Sequence, residues 1–123
     1  GTPPERVIAP GETRWAIYDR PTRTLWFGGP ATKTHLTVAE ESGLLRNASD
    51  YYRPGPFAKM CGGYIVRSSA GAFAFDGFSG TFPGTPKAVA EAEDALREWC
   101  LTRHLPWRDH KAPDRSPTLP QGD

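Results

Sequence analysis

The sequence predicts an α+β domain: two diverged ββα units forming a four-stranded, mainly antiparallel sheet with two helices on one face. Three observations predict it. The spacing of apolar residues changes from period two to roughly 3.6 twice along the chain, in the same order each time. Gly- and Pro-rich clusters fall between the periodic segments, where turns are needed. The two halves also align: with Ile17 laid on Ile65, Leu25 falls on Phe73, Phe27 on Phe75 and Gly29 on Gly77. After a short insertion, Val38-Ala39-Glu40 falls on Val89-Ala90-Glu91 and Leu45 on Leu96.

The first unit spans 14–46. Trp15 and Ile17 alternate with Arg14, Ala16 and Tyr18, and Leu25 and Phe27 alternate with Thr24 and Trp26, which reads as a β-hairpin. Gly28-Gly29-Pro30 ends the second strand, because these residues do not sustain a ladder. Thr37 and Glu40 have the spacing of a capping box, so a short helix is expected from Thr37 to about Leu45–Asn47.

The second unit spans 63–105, after a linker at 47–62. Tyr64-Ile65-Val66 and Phe73-Ala74-Phe75 flank Ser68-Ser69-Ala70-Gly71, a second hairpin. Thr85-Pro86 then supplies a hydroxyl cap and a proline suited to the first helical turn. Val89, Ala92, Leu96, Trp99 and Arg103 recur at three- and four-residue spacing, an amphipathic stripe, and Pro106 follows the helix end. One hairpin and one helix cannot bury an apolar face alone, whereas two such units can. The expected core therefore joins Trp15, Ile17, Leu25, Phe27, Ile65, Phe73 and Phe75 to Leu45, Val89, Leu96 and Trp99. Residues 1–13 read as an extended N-terminal arm, with Val7 and Ile8 as its anchor, and 106–123 as a Pro-rich tail.

The 123 residues suit a single domain, and 37% hydrophobic with 24% charged residues is a globular rather than a disordered balance. A net charge of +1 is too near neutrality for electrostatics to name a polyanionic partner. No apolar run approaches the ~18 residues of a membrane span, so no membrane partner is expected and a cytoplasmic location is favoured. Cys61 and Cys100 make no disulfide framework and read as two buried thiols.

No catalytic residue, cofactor or metal site is expected. His35, His104 and His110 form no His-x-His or His-Glu-x-x-His pattern, and the spacing of Cys100, His104 and His110 does not supply three convergent ligands. Gly77-Phe78-Ser79-Gly80-Thr81 lacks the final glycine of a nucleophile elbow and reads as a strand-to-helix connection. The expectation is a non-enzymatic binding domain that engages a protein partner, or itself. Its surface would be an aromatic sheet face of Tyr18, Trp26 and Tyr64, pointing away from the helices, with the loop residues Tyr51, Tyr52, Arg53 and Phe57. Nucleic acid is the alternative partner, held by Arg14, Arg20, Arg23 and Arg67 on and beside the same face. The third reading is an enzyme of unrecognised class.

Overall fold

The computed structural model describes residues 8–44, 59–79, 82 and 84–109. Four strands form one open antiparallel sheet: β1 (Thr13–Asp19), β2 (Thr24–Phe27), β3 (Met60–Arg67) and β4 (Phe73–Asp76), in the order β2-β1-β3-β4. Two helices complete the fold, α1 (His35–Glu41) after β2 and α2 (Pro86–Thr102) after β4. The class is α+β.

The two central strands organise the rest. β1 pairs with β3 along its whole length, from Thr13 opposite Val66 to Asp19 opposite Met60. β2 and β4 flank this pair through local hairpins. Directly opposed residues of adjacent strands point to the same side of a sheet, so the register assigns the faces. Ala16 and Tyr18 share one face with Leu25, Phe27, Cys61, Ile65, Phe73 and Phe75. Trp15 and Ile17 share the other with Trp26, Met60, Tyr64 and Val66.

The helices cover opposite faces, which corrects the expectation of two helices on one face. α2 packs Ala88, Ala92, Leu96 and Cys100 onto the face of Ala16, Tyr18, Ile65, Phe73 and Phe75, with Ile8 of the arm closing the same cluster. α1 packs Val38 and Ala39 onto Ile17 and Met60 on the other side, where Phe82 joins them. Ile17, expected beside Leu96, therefore lies on the far side of the sheet from it. The pairing of Ile17 with Ile65 across the two halves likewise joins residues of opposite faces, whereas Phe27 and Phe75 share one. The strands of the two hairpins thus follow one another in the expected order, and the helices do not follow a face-preserving twofold arrangement.

Local signals explain the helix ends. α1 begins earlier than the capping-box spacing suggests. Thr34 is its cap and accepts a hydrogen bond from the Thr37 amide at 3.0 Å, so Thr37 sits inside the helix. Gly43, with φ of 76°, takes the left-handed conformation that ends a helix, and the Leu44 amide returns to the Ala39 carbonyl. α2 starts as expected, with Thr85 accepting from the Ala88 amide and Pro86 in the first turn. Its buried line runs along Ala88, Ala92, Leu96 and Cys100, one position displaced from the Val89–Trp99 stripe at its ends. β3 also starts earlier than expected, at Met60 rather than Gly63.

The start of the expected tail belongs to the sheet. The Phe73 amide donates to the Pro106 carbonyl at 3.0 Å and the Arg108 amide to the Phe73 carbonyl at 2.8 Å, a parallel bridge on the outer edge of β4. Leu96, 3% exposed, lies at the centre of the α2 face. Leu96→Ala should lower the unfolding free energy by about 2–5 kcal/mol in urea titration, with an unchanged denaturant slope.

Candidate functional site

The face under α1 holds the one buried imidazole among the described residues. His35, the first residue of α1, is fully buried between Trp15 and Tyr64, with ring centroids 4.8 and 5.2 Å away. Two glycines of β3 make room for it. Gly62 presents no side chain where a Cβ would stand 3.2 Å from the imidazole Cδ2, and the neighbouring Gly63 offers its carbonyl. His35 Nε2–H donates to that carbonyl at 2.7 Å, since a carbonyl can only accept. The other ring nitrogen, Nδ1, lies 3.2 Å from the Ser79 hydroxyl and shares a hydrogen bond with it. Ser79 Oγ in turn accepts the Phe82 amide at 3.0 Å.

Serine, imidazole and an orienting carbonyl are the parts of an activated nucleophile. Here they are arranged as a lock. The imidazole is out of reach of solvent, and the hydroxyl is seated on Gly62, where an added Cβ would fall 2.5 Å from it. It also ties Ser79 to Phe82, whose carbonyl accepts the Gly62 amide at 2.8 Å. The network ties α1, β3 and the strand-to-helix connection together. The meeting of His35 with Ser79 was not expected; the only sequence signal was the Gly62-Gly63 pair, which marks a close approach to a strand.

The expected aromatic face does not exist as a surface. Tyr18 is 3% exposed and lies under α2, Tyr64 is fully buried under α1, and they point to opposite sides of the sheet. The reason is that β1 and β3 are covered on both faces, so apolar residues occur in both phases. Trp26 remains accessible, 39% exposed on the edge strand β2. Tyr51, Tyr52, Arg53 and Phe57 lie outside the described residues.

Nor do the four arginines line one surface. Arg14 is buried on the α2 side and donates to Glu12 at 2.8 Å. Arg67 donates to the carbonyls of Gly71 and Ile8 and covers the Phe73 ring at 4.7 Å. Arg20 grips Glu91 of α2 through two bonds of 3.0 and 3.3 Å, and this ion pair holds the Glu91 carboxyl below the usual carboxylate range. Arg23 is exposed in the β1–β2 turn.

The open feature of this end of the sheet is the outer edge of β2. The Gly28 amide donates to the Trp15 carbonyl at 2.9 Å, which sets the phase of the β1–β2 ladder. Trp26 and Thr24 therefore direct their backbone groups at β1, and Leu25 and Phe27 direct theirs outward. Those outward N–H and C=O groups have no hydrogen-bond partner among the described residues.

Cys61 and Cys100 are free and buried. Loss of hydration pushes both thiols up to about 11. Among the described residues no group of three His, Cys, Asp or Glu side chains could hold a metal, and no helix is long and apolar enough to cross a membrane.

Two outcomes follow from this geometry. At pH 7.5 a thiol reagent should label neither cysteine in the folded protein and both after denaturation, because the reactive thiolate is suppressed. Ser79→Ala leaves a buried imidazole nitrogen and the Phe82 amide without this hydroxyl, and thermal unfolding should show a loss of about 1–3 kcal/mol.

No protein-family model matches the chain, and neither the curated proteins nor the solved structures contain a match to it.

Proposed function

We propose that this domain is a binding module that accepts an extended strand of another polypeptide along the outer edge of β2, with Trp26 as the side-chain anchor. The observation that carries the reading is the unequal treatment of the two sheet edges. On β4 the chain's own Pro106–Arg108 segment occupies the outward groups of Phe73, and Phe75, the other residue directed outward there, is buried. On β2 the outward groups of Leu25 and Phe27 have no such cover among the described residues, and Thr24–Phe27 contains no charge and no proline. Native edges are usually blunted by such residues or by covering segments, because an open ladder is a template for pairing. Strand addition draws affinity from main-chain hydrogen bonds and selectivity from alternate side chains. Trp26 has the half-exposed aromatic character of an interface anchor.

The nucleic-acid reading has no comparable support, since Arg14 and Arg67 are engaged inside the domain and Arg20 on Glu91. The enzyme reading has none either: the His35 imidazole is fully buried, and the Ser79 hydroxyl meets it and the Phe82 amide.

A synthetic peptide of alternating Val and Thr, titrated into the dilute domain, tests the proposal by backbone NMR. The expected result is that the amides of Leu25 and Phe27 shift and gain exchange protection, and that Trp26→Ala weakens binding several-fold. Shifts confined to other elements, or none at all, would sink the reading.

A further inference from the structure

We infer that the strand accepted on this edge is β2 of a second copy of the chain, paired antiparallel about a twofold axis at Trp26; the inference rests on the strand-accepting reading above. The register selects itself. The outward groups belong to Leu25 and Phe27 alone, because the ladder to β1 uses those of Thr24 and Trp26. With the axis at Trp26, Leu25 faces Phe27 of the second copy and Phe27 faces its Leu25, so every outward N–H and C=O finds a partner. An axis at Leu25 or at Phe27 would satisfy only one residue of each copy.

That register also fits the side chains. Trp26 then faces Trp26 of the second copy in a non-hydrogen-bonded pair, the closest kind, with Cα atoms about 4.5 Å apart. Large aromatic side chains gain most from such a position. On the other face Leu25 meets Phe27 of the second copy, and both already line the α2 cluster at its rim. The apolar layer would run unbroken from one copy into the next.

The flanks do not oppose it. Strand β2 carries no charge, and the nearest cation, Arg23, faces Gly29 of the second copy rather than another arginine. A Cβ at Gly29 would meet nothing within 4 Å, so the crossing point is open. The other edge cannot pair in the same way at Phe73, because Pro106–Arg108 stands there. The product is a closed dimer with one continuous sheet, not a filament.

The contact is small. A strand of four residues buries less than the ~1,200–2,000 Å² of a stable dimer, so dissociation is expected on the order of 100 µM.

Sedimentation equilibrium of the full chain, from dilute solution to about 1 mM, provides the test. The weight-average mass should climb from 13.5 kDa toward twice that value. Across the same range the amides of Leu25 and Phe27 should gain exchange protection, while those of Thr24 and Trp26 are protected throughout. Trp26→Lys places two like charges on the axis and should weaken association by about tenfold or more. Phe78→Lys, at another exposed apolar position, should leave it unchanged. In the Trp26→Lys variant, retained protection of the amides of Thr24 and of the substituted residue shows that the hairpin is intact. A chain that stays at 13.5 kDa at the highest concentration overturns the inference. So does a dimer that is indifferent to Trp26→Lys, or one whose Leu25 and Phe27 amides exchange freely. If the mass stays monomeric yet the Val/Thr peptide protects Leu25 and Phe27, self-pairing falls and the strand-accepting function stands.

Discussion

The antiparallel pairing of β1 with β3 is the constraint on which the rest of this structure depends. It is the longest ladder in the sheet, and both of its faces are covered. Every residue of β3 from Met60 to Val66 is buried, a pattern that a one-sided sheet cannot produce. Both helices take their positions from this pair. α2 lies across Ala16, Tyr18 and Ile65, and α1 is held to the reverse side by Ile17, Met60 and the His35 network. The two consecutive glycines of β3 serve the two layers separately. Gly62 faces His35 and Ser79, and Gly63 faces the Phe75 ring. A side chain at either position would push a neighbouring layer off the central pair.

The elements were legible in the sequence because their signals are local. Thr85-Pro86 marks the start of α2, Gly28-Gly29-Pro30 the end of β2, and Ser68–Gly71 the second hairpin turn. What was not legible was which side of the sheet each helix takes. Period-two alternation identifies a buried face only when the opposite face meets water. In β1, Trp15 and Ile17 compete with Ala16 and Tyr18, all apolar, and the phase of that strand cannot be read from residue type. The consequence for the site was direct. Tyr18 and Tyr64, read as surface aromatics, are core residues of two different layers, and of that trio Trp26 alone is accessible. The edge groups of Leu25 and Phe27 were hidden for another reason. Strand order decides which backbone groups lack a neighbour, and nothing in a four-residue window encodes it.

The polar groups inside the domain are used as fasteners. His35 and Ser79 bind α1 to β3 and to the connection before α2. Arg20 joins the end of β1 to α2 through Glu91, and Arg67 joins the end of β3 to the arm at Ile8. Each spans residues far apart in the chain; Arg20 and Arg67 sit at strand ends, and His35 lies against the middle of β3. Hydrogen bonds of this kind add modest stability on balance, but they select one arrangement of layers among several of similar hydrophobic burial. In a domain whose helices sit on opposite faces, that selection matters more than the energy of any one bond.

The position of β1 between β2 and β3 has a consequence for how the chain acquires its structure. The β1–β2 hairpin closes over a short turn, and α1 forms from adjacent residues, but the central ladder must bring Thr13–Asp19 to a strand that begins at Met60. Chains whose essential pairing is this remote lose the loop-closure entropy before any core contact offsets it, and they fold slowly for their size. A chain in which β3 is undocked would leave Trp15, Ile17, Ala16 and Tyr18 without their two covering layers and one whole flank of β1 unpaired. Such a state would be open to wrong association, and the segment exposed would be the one that lies enclosed between two layers at the centre of the native sheet.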